Sequence, residues 1–299
     1  MKKDNLTVLS LFDGMSCGRI TLDKMGITPK VYYASELDKF AIQETEANWS
    51  DTVQLGDVTK WREWDIDWSS INLLIGGSPC QGFSFAGKQL AFDDPRSALF
   101  FVYVDILNHI KSVNPNVKFM LENVKMKKEH LDVISENLGI QPVNVESNTH
   151  TAVDRNRFYW CNWSVAQPEK SDICFGDIRE WGAEDGNAYY SKAAFNWLTN
   201  HAKRKGKDFK VYTTSGKFQM LEASMYKKYS SQRFFGVLDS GGIRYPTVVE
   251  ACRLHGVPDN YFKVSSNTQA YKMLGNGWQC DTVEHIFNCL FKGDICVNV

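Results

Sequence analysis

The segment Gly76-Gly77-Ser78-Pro79-Cys80-Gln81-Gly82-Phe83-Ser84 carries the sharpest chemical signal in the chain. It follows an apolar run, Ile71 to Ile75, so Cys80 falls in a loop just past a strand rather than inside a core. Glycine and proline around it stiffen and expose that loop. A cysteine so placed is a candidate nucleophile, because the thiolate attacks strongly once its surroundings favour it. Glu122, in Glu122-Asn123-Val124, follows a second apolar run, Val117 to Leu121, and offers a carboxyl at a strand end for general-acid work. Arg155 and Arg157 lie two residues apart, so an extended segment puts them on one face. Either suits a carbonyl or a phosphate, and a plain surface strand is the alternative.

A second group of residues is suited to binding. Phe12-Asp13-Gly14-Met15-Ser16-Cys17-Gly18 follows the first strand, and its small residues let backbone N–H groups approach a ligand at a helix N-terminus. The spacing is not that of a dinucleotide loop. Glu36, after the second strand, stands where an acid commonly bonds ribose hydroxyls; an N-terminal helix charge is the competing reading. Gly56-Asp57-Val58 offers a second acid beyond a short third strand. Two acids and a small-residue turn suit an adenosine-bearing cofactor that has no pyrophosphate to neutralise.

These residues need elements that converge. Apolar runs at Leu6–Leu11, Val31–Ala34, Ile71–Ile75 and Val117–Leu121 alternate with helical stretches, including Leu99–Val113. That alternation predicts a doubly wound α/β domain with a mostly parallel sheet, whose ligands bind beyond the carboxyl ends of the strands. From about Pro168 the pattern degrades. Between His201 and Arg233, nine basic residues face two acids, Asp208 and Glu222, a local charge of about +7. Helical periodicity returns at Pro246–Arg253 and Asp281–Phe291. The expected division is a catalytic and cofactor-binding domain over 1–164, a basic recognition region over 165–243, and a closing segment over 244–299 that returns to the first domain.

Composition sets the outer limits. The 299 residues are 43% hydrophobic and 23% charged, ordinary for a globular chain able to bury its own core. Net charge is −1, which excludes a generally polycationic binding mode and leaves nucleic-acid contact to local asymmetry. The eight cysteines form no CxxC pair and no close Cys/His spacing, so neither a disulfide framework nor a metal site is expected. No apolar run is long enough for a membrane helix. The N-terminus lacks the apolar core of a signal peptide, so an intracellular, cytoplasmic location is expected.

Taken in order, these motifs resemble the DNA cytosine-5 methyltransferase family over nearly the whole chain. Pro79-Cys80-Gln81 is similar to its nucleophile motif, Glu122-Asn123-Val124 to its acid motif, and Arg155-x-Arg157 to its arginine strand. Phe12 to Gly18 resembles its first cofactor motif. Leu274-Gly275-Asn276-Gly277-Trp278 resembles its last, which completes the methyl-donor pocket, and Arg244 resembles the arginine segment that braces the recognition region. Val153 stands where the family often has Gln, and Gly277-Trp278 where it more usually has Ser or Ala followed by Val. The tryptophan is similar to the animal de novo enzymes, while the compact chain is similar to bacterial or phage ones.

The resemblance implies a Rossmann-like S-adenosylmethionine-dependent fold, with S-adenosylmethionine held by Phe12, Asp13, Gly14, Met15, Ser16, Cys17, Glu36, Asp57, Val58, Pro79, Asn276, Gly277 and Trp278. It implies double-stranded DNA as the partner, with contacts from Gln81, Ser84, Lys88, Lys203, Arg204, Lys205, Arg233 and Arg244. A cognate restriction endonuclease is a partner that it allows. In the implied reaction Cys80 adds to C6 of a flipped-out cytosine, Glu122 acts at N3, and Arg157 with Arg155 holds O2. The loop from Phe83 to Phe92 is a candidate to close over the DNA. Two rivals stand beside this reading: a nucleotide-level pyrimidine C5 transferase, and a catalytically silent DNA-binding protein of the same fold.

Overall fold

The computed structural model describes residues 5–78, 98–181, 189–230 and 234–292, apart from the side chains of 228–230. The first part of the chain alternates strand and helix: β1 (Thr7–Leu11), α1 (Cys17–Lys24), β2 (Val31–Ser35), α2 (Lys39–Asn48), β3 (Val53–Gln54), β4 (Leu73–Gly76), α3 (Ala98–Val113), β5 (Lys118–Val124), α4 (Lys128–Leu138) and β6 (Val143–Glu146). β7 (Val153–Asp154) and β8 (Asn156–Cys161) follow.

Seven of these strands form one sheet in the order β3-β2-β1-β4-β5-β8-β6. The first five are parallel; β8 runs antiparallel to both of its neighbours. β1 and β4 are buried throughout, which is why Val8-Leu9 and Leu73-Leu74-Ile75 read as apolar without alternation; the polar residues of β1, Thr7 and Ser10, are buried as well. α3 buries Phe100, Tyr103, Leu107 and Ile110 at helical spacing, and these residues belong to the main core. α1 approaches the sheet closely because Gly18 has no side chain: a Cβ there would meet Ile75 Cδ1 at 2.3 Å. Chain order reverses between β1 and β4, so the loops after them flank a crevice at the carboxyl end of the sheet. β5 continues through Glu122 and Asn123, where the sequence suggests that the strand has ended. β8 pairs with it as far as Val124↔Arg157, which keeps those polar residues inside the sheet.

The chain forms two compact units. The first holds the described residues up to Glu146, 156–168, and those from Thr282 onward; the second holds 147–155 and 169–281. The second contains α5 (Phe175–Ile178), α6 (Lys192–Arg204), β9 (Lys210–Tyr212), β10 (Phe218–Gln219), β11 (Phe235–Asp239), β12 (Gly242–Arg244), α7 (Val248–Leu254) and α8 (Asn267–Asn276). Its strands form a β12-β11-β9 sheet and a β10-β7 pair. α9 (Cys280–Phe291) carries the chain back into the first unit. Residues 244–281 therefore group with the second unit rather than with the first. Tyr245 donates to the Met225 carbonyl at 2.6 Å, tying this stretch to the 3-10 segment 223–230, and Tyr271 donates to the Pro246 carbonyl at 2.6 Å within the stretch itself. Among the described residues no helix is long and apolar enough to cross a membrane.

Candidate active site

At the carboxyl end of the parallel strands lies a cavity of about 240 Å³, lined by Phe12, Ser35, Glu36, Leu37, Gly56, Asp57, Val58 and Leu99. Every lining residue follows or ends a strand, except Leu99 in the first turn of α3. Glu36 accepts hydrogen bonds from the Gly14 amide at 2.7 Å, the Leu37 amide at 2.7 Å and the Asp38 amide at 2.8 Å. One carboxylate thus joins the loop after β1 to the end of β2. Asp57 caps the following 3-10 turn; the Thr59 amide and hydroxyl both donate to it and hold its carboxyl below the usual range. Leu37 is 70% exposed, an apolar side chain held at the mouth beside two acids.

The loop after β1 is wound tightly. Phe12, Gly14 and Ser16 all have left-handed backbones, at φ 56°, 57° and 56°. Asp13 does not line the cavity. It is buried, with Tyr32 donating to it at 2.9 Å and the Ser16 hydroxyl bonded to its other oxygen. Burial pushes the Asp13 carboxyl up to about 6, against the hydrogen bonds from Ser10, Ser16 and Tyr32 that favour its charged form. Because the Ser16 hydroxyl is used on Asp13 and Thr45, it does not cap α1. Met15 and Cys17 are also buried beneath the loop. Of the first-motif candidates, only Phe12 reaches the cavity wall.

Glu122 and Arg157 are each 8% exposed, and the Arg157 Nε lies 2.9 Å from a Glu122 oxygen. They sit diagonally across the β5–β8 ladder, within reach of two long side chains. Asn123, between Glu122 and Val124, donates to the Ser78 hydroxyl at 3.3 Å and to its carbonyl at 3.4 Å, anchoring the residue from which the Pro79-Cys80 segment departs. The two arginines have separate fates. Arg155 Nη2 donates to the Gly277 carbonyl at 2.6 Å, so it braces the end of α8. Asn276 closes α8, Gly277 caps it, and Trp278 is buried behind it.

Pro79, Cys80, Gln81, Ser84, Lys88 and Arg233 lie outside the described residues. Lys203, Arg204 and Lys205 are exposed at the end of α6. Lys217, counted in the same basic run, is instead pinned on the carbonyls of Thr151, Ser171 and Ile173 at 3.0, 3.1 and 2.6 Å.

Arg244 requires a correction. Expected among the DNA contacts, it is 0% exposed and bonded on both edges of its guanidinium. It donates to Glu250 through two bonds of 2.8 and 2.7 Å, to Asp239 at 2.7 Å and to the Tyr245 carbonyl at 3.1 Å. Burial alone would raise the Asp239 carboxyl, but hydrogen bonds from Arg244, the Ser240 amide and Arg179 hold it at about 2. A side chain so enclosed cannot reach a phosphate.

Sequence reading missed Ser35, Leu37 and Leu99 in the cavity wall, and Tyr32 beneath the loop. Leu37 carried a signal, being an apolar residue directly after the candidate ribose-binding acid.

Comparison with known proteins bears on this arrangement. A family model described as C-5 cytosine-specific DNA methylase matches residues 6–139 and 166–292. The type II methyltransferase M1.ScrFI of Lactococcus lactis subsp. cremoris is 30% identical, across 93% of this chain and 76% of that protein. The type II methyltransferase M.HpaII of Haemophilus parainfluenzae is 30% identical, across 92% of this chain and 86% of that protein. Among solved structures, S. pombe Dnmt2 methyltransferase shares the fold at a TM-score of 0.72 and 16% identity, over 96% of this chain and 99% of that one. Entamoeba histolytica methyltransferase EhMeth does so at 0.75 and 17%, over 96% and 98%.

Proposed function

The chain belongs to the C-5 cytosine-specific DNA methylase family, and from that premise we propose how its own residues carry out DNA cytosine-5 methylation. The observation that carries the proposal is the buried Glu122–Arg157 pair on neighbouring strands, with Asn123 anchoring the root of the Cys80 segment. Cytosine C5 is a weak nucleophile within an aromatic ring. Addition of the Cys80 thiolate to C6, with a proton from Glu122 at N3, turns C5 into an enamine-like carbon. Once C5 is alkylated, loss of its proton to water re-forms the C5–C6 double bond and expels Cys80, and the N3 proton returns to Glu122. Arg157 holds Glu122 in place and offers its remaining N–H groups to O2. Arg155 positions the α8 terminus. C6 is inaccessible inside a duplex, so the base must leave the stack, at a cost of about a few kcal/mol.

The cavity fits S-adenosylmethionine. Phe12, Leu37, Val58 and Leu99 give apolar faces for a purine, and Glu36 and Asp57 give acceptors for hydroxyl and amino groups. When bound, that group supplies an electrophilic methyl. Lys203, Arg204 and Lys205 are assigned to DNA phosphates. By analogy with the type II relatives, a restriction-modification setting with a cognate endonuclease is the reading we adopt. The test is transfer of labelled methyl from S-adenosylmethionine to duplex DNA, with bisulfite sequencing to locate the modified base. Label on cytosine C5, abolished in Cys80→Ala, is expected. Label on free nucleotides but not on DNA would favour the nucleotide-level alternative.

A further inference from the structure

α6 contains no acidic residue, and its inward face is defined by Leu198 and Ala202, which pack with Phe234 in a small core. One position before each of these, about 100° around the helix, stand Trp197 and His201. Their rings lie parallel at 5° with centroids 4.9 Å apart, and His201 meets Phe234 edge-on at 5.4 Å. The inner ring of the stack is therefore anchored in the core while the outer one faces water: Trp197 is 45% exposed. Arg204 lies seven positions after Trp197 and so shares its face. Lys203 and Lys205 flank it, all three are exposed, and among the described residues no carboxylate pairs with any of them.

Cations at a helix C-terminus complement its dipole, which accounts for the charge but not for a flat aromatic plate held in water about two turns away. A fixed aromatic ring near exposed cations is a combination that grips nucleic acid: the ring packs on a sugar face or an unstacked base and the cations take phosphates. We propose that Trp197, steadied by His201, is a DNA-contact residue that supplies the salt-independent part of binding at this surface, with Lys203, Arg204 and Lys205 supplying the salt-dependent part. The inference rests on the DNA methyltransferase reading and assigns it a recognition helix.

The two parts separate in a titration of a short fluorescein-labelled duplex of mixed sequence, followed by anisotropy at several salt concentrations with the full chain. Trp197→Ala should lower affinity by about 5- to 150-fold, the range for one lost aromatic stack, at every salt concentration and without changing the slope. Trp197→Phe should recover most of the loss. Changing Lys203, Arg204 and Lys205 together to Gln should flatten the slope by about 2–3 units. Thermal denaturation and cofactor affinity should match wild type, since the outer ring is not part of the core. Trp197→Ala binding like wild type would overturn the inference, as would a loss confined to the slope. If the wild-type chain methylates and binds the duplex, such a result sinks this inference alone; if it does neither, the methyltransferase reading falls first.

Discussion

Replacing Arg244 with Met should unfold the second unit more easily and leave DNA recognition chemistry otherwise intact. Arg244 and Glu250 are both 0% exposed and joined by two hydrogen bonds. Among the described residues, the mutation leaves Glu250 with the Thr247 and Glu180 amides, at 2.9 and 3.3 Å. Asp239 keeps Arg179 and the Ser240 amide. Removing one partner of a buried ion pair costs about 3–5 kcal/mol, because an uncompensated charge stays in a low-dielectric interior. At about 2–4 °C per kcal/mol, the melting temperature should fall by about 6–20 °C. Arg244→Met combined with Glu250→Leu should regain part of that loss, since the orphaned charge goes with it. Differential scanning calorimetry reads the stability, and duplex titration at several salt concentrations reads the contact. An unchanged melting temperature together with a flattened salt dependence would refute the reasoning and restore Arg244 to the DNA surface.

Other consequences follow from the same geometry. Asp57→Ala should weaken S-adenosylmethionine binding by roughly tenfold or more, the loss of a hydrogen bond of about 1–3 kcal/mol; Glu36→Ala should weaken it at least as much, because its carboxylate also holds the Gly14 amide, and calorimetry with either variant binding like wild type would contradict the pocket. The Asp13 carboxyl, raised by burial from 3.8 to about 6, makes folding less favourable as pH rises through that window. Asp13→Asn should match wild type near pH 4 and exceed its stability by up to about 3 kcal/mol at pH 7, as measured by denaturant titration; a gap independent of pH would refute this. Glu122→Gln should slow methyl transfer by about 10²–10⁴-fold while DNA binding survives, and a variant of near-normal rate would remove Glu122 from the proposed chemistry.

Much of the first unit could be read from the chain because its central strands, β1 and β4, are buried on both faces. Leu73-Leu74-Ile75 and Val8-Leu9 leave no other reading, and α3 shows its helical spacing plainly. Reading failed where burial was bought with partners rather than with apolar side chains. Glu122 and Asn123 look like a strand end, yet Arg157 and Ser78 satisfy them within β5. Arg244 looks like a surface cation, although Asp239 and Glu250, five residues before it and six after, are what enclose it. Asp13 belongs to a motif read as facing the cofactor, but Tyr32 and Ser16 draw it inward. The strands of the second unit are two to five residues long, too short to show a period.

The central claim is covalent catalysis by Cys80, and fluorine at C5 tests it most directly. After addition at C6 and alkylation at C5, the cysteine leaves only if the C5 substituent departs as a cation, which a proton can do and fluorine cannot. Duplex DNA carrying 5-fluorocytosine at the target should therefore form a denaturation-resistant adduct with the protein, only when S-adenosylmethionine is present. Peptide mass spectrometry should place the linkage on Cys80. An adduct on another cysteine, or trapping that persists in Cys80→Ala, would contradict the account.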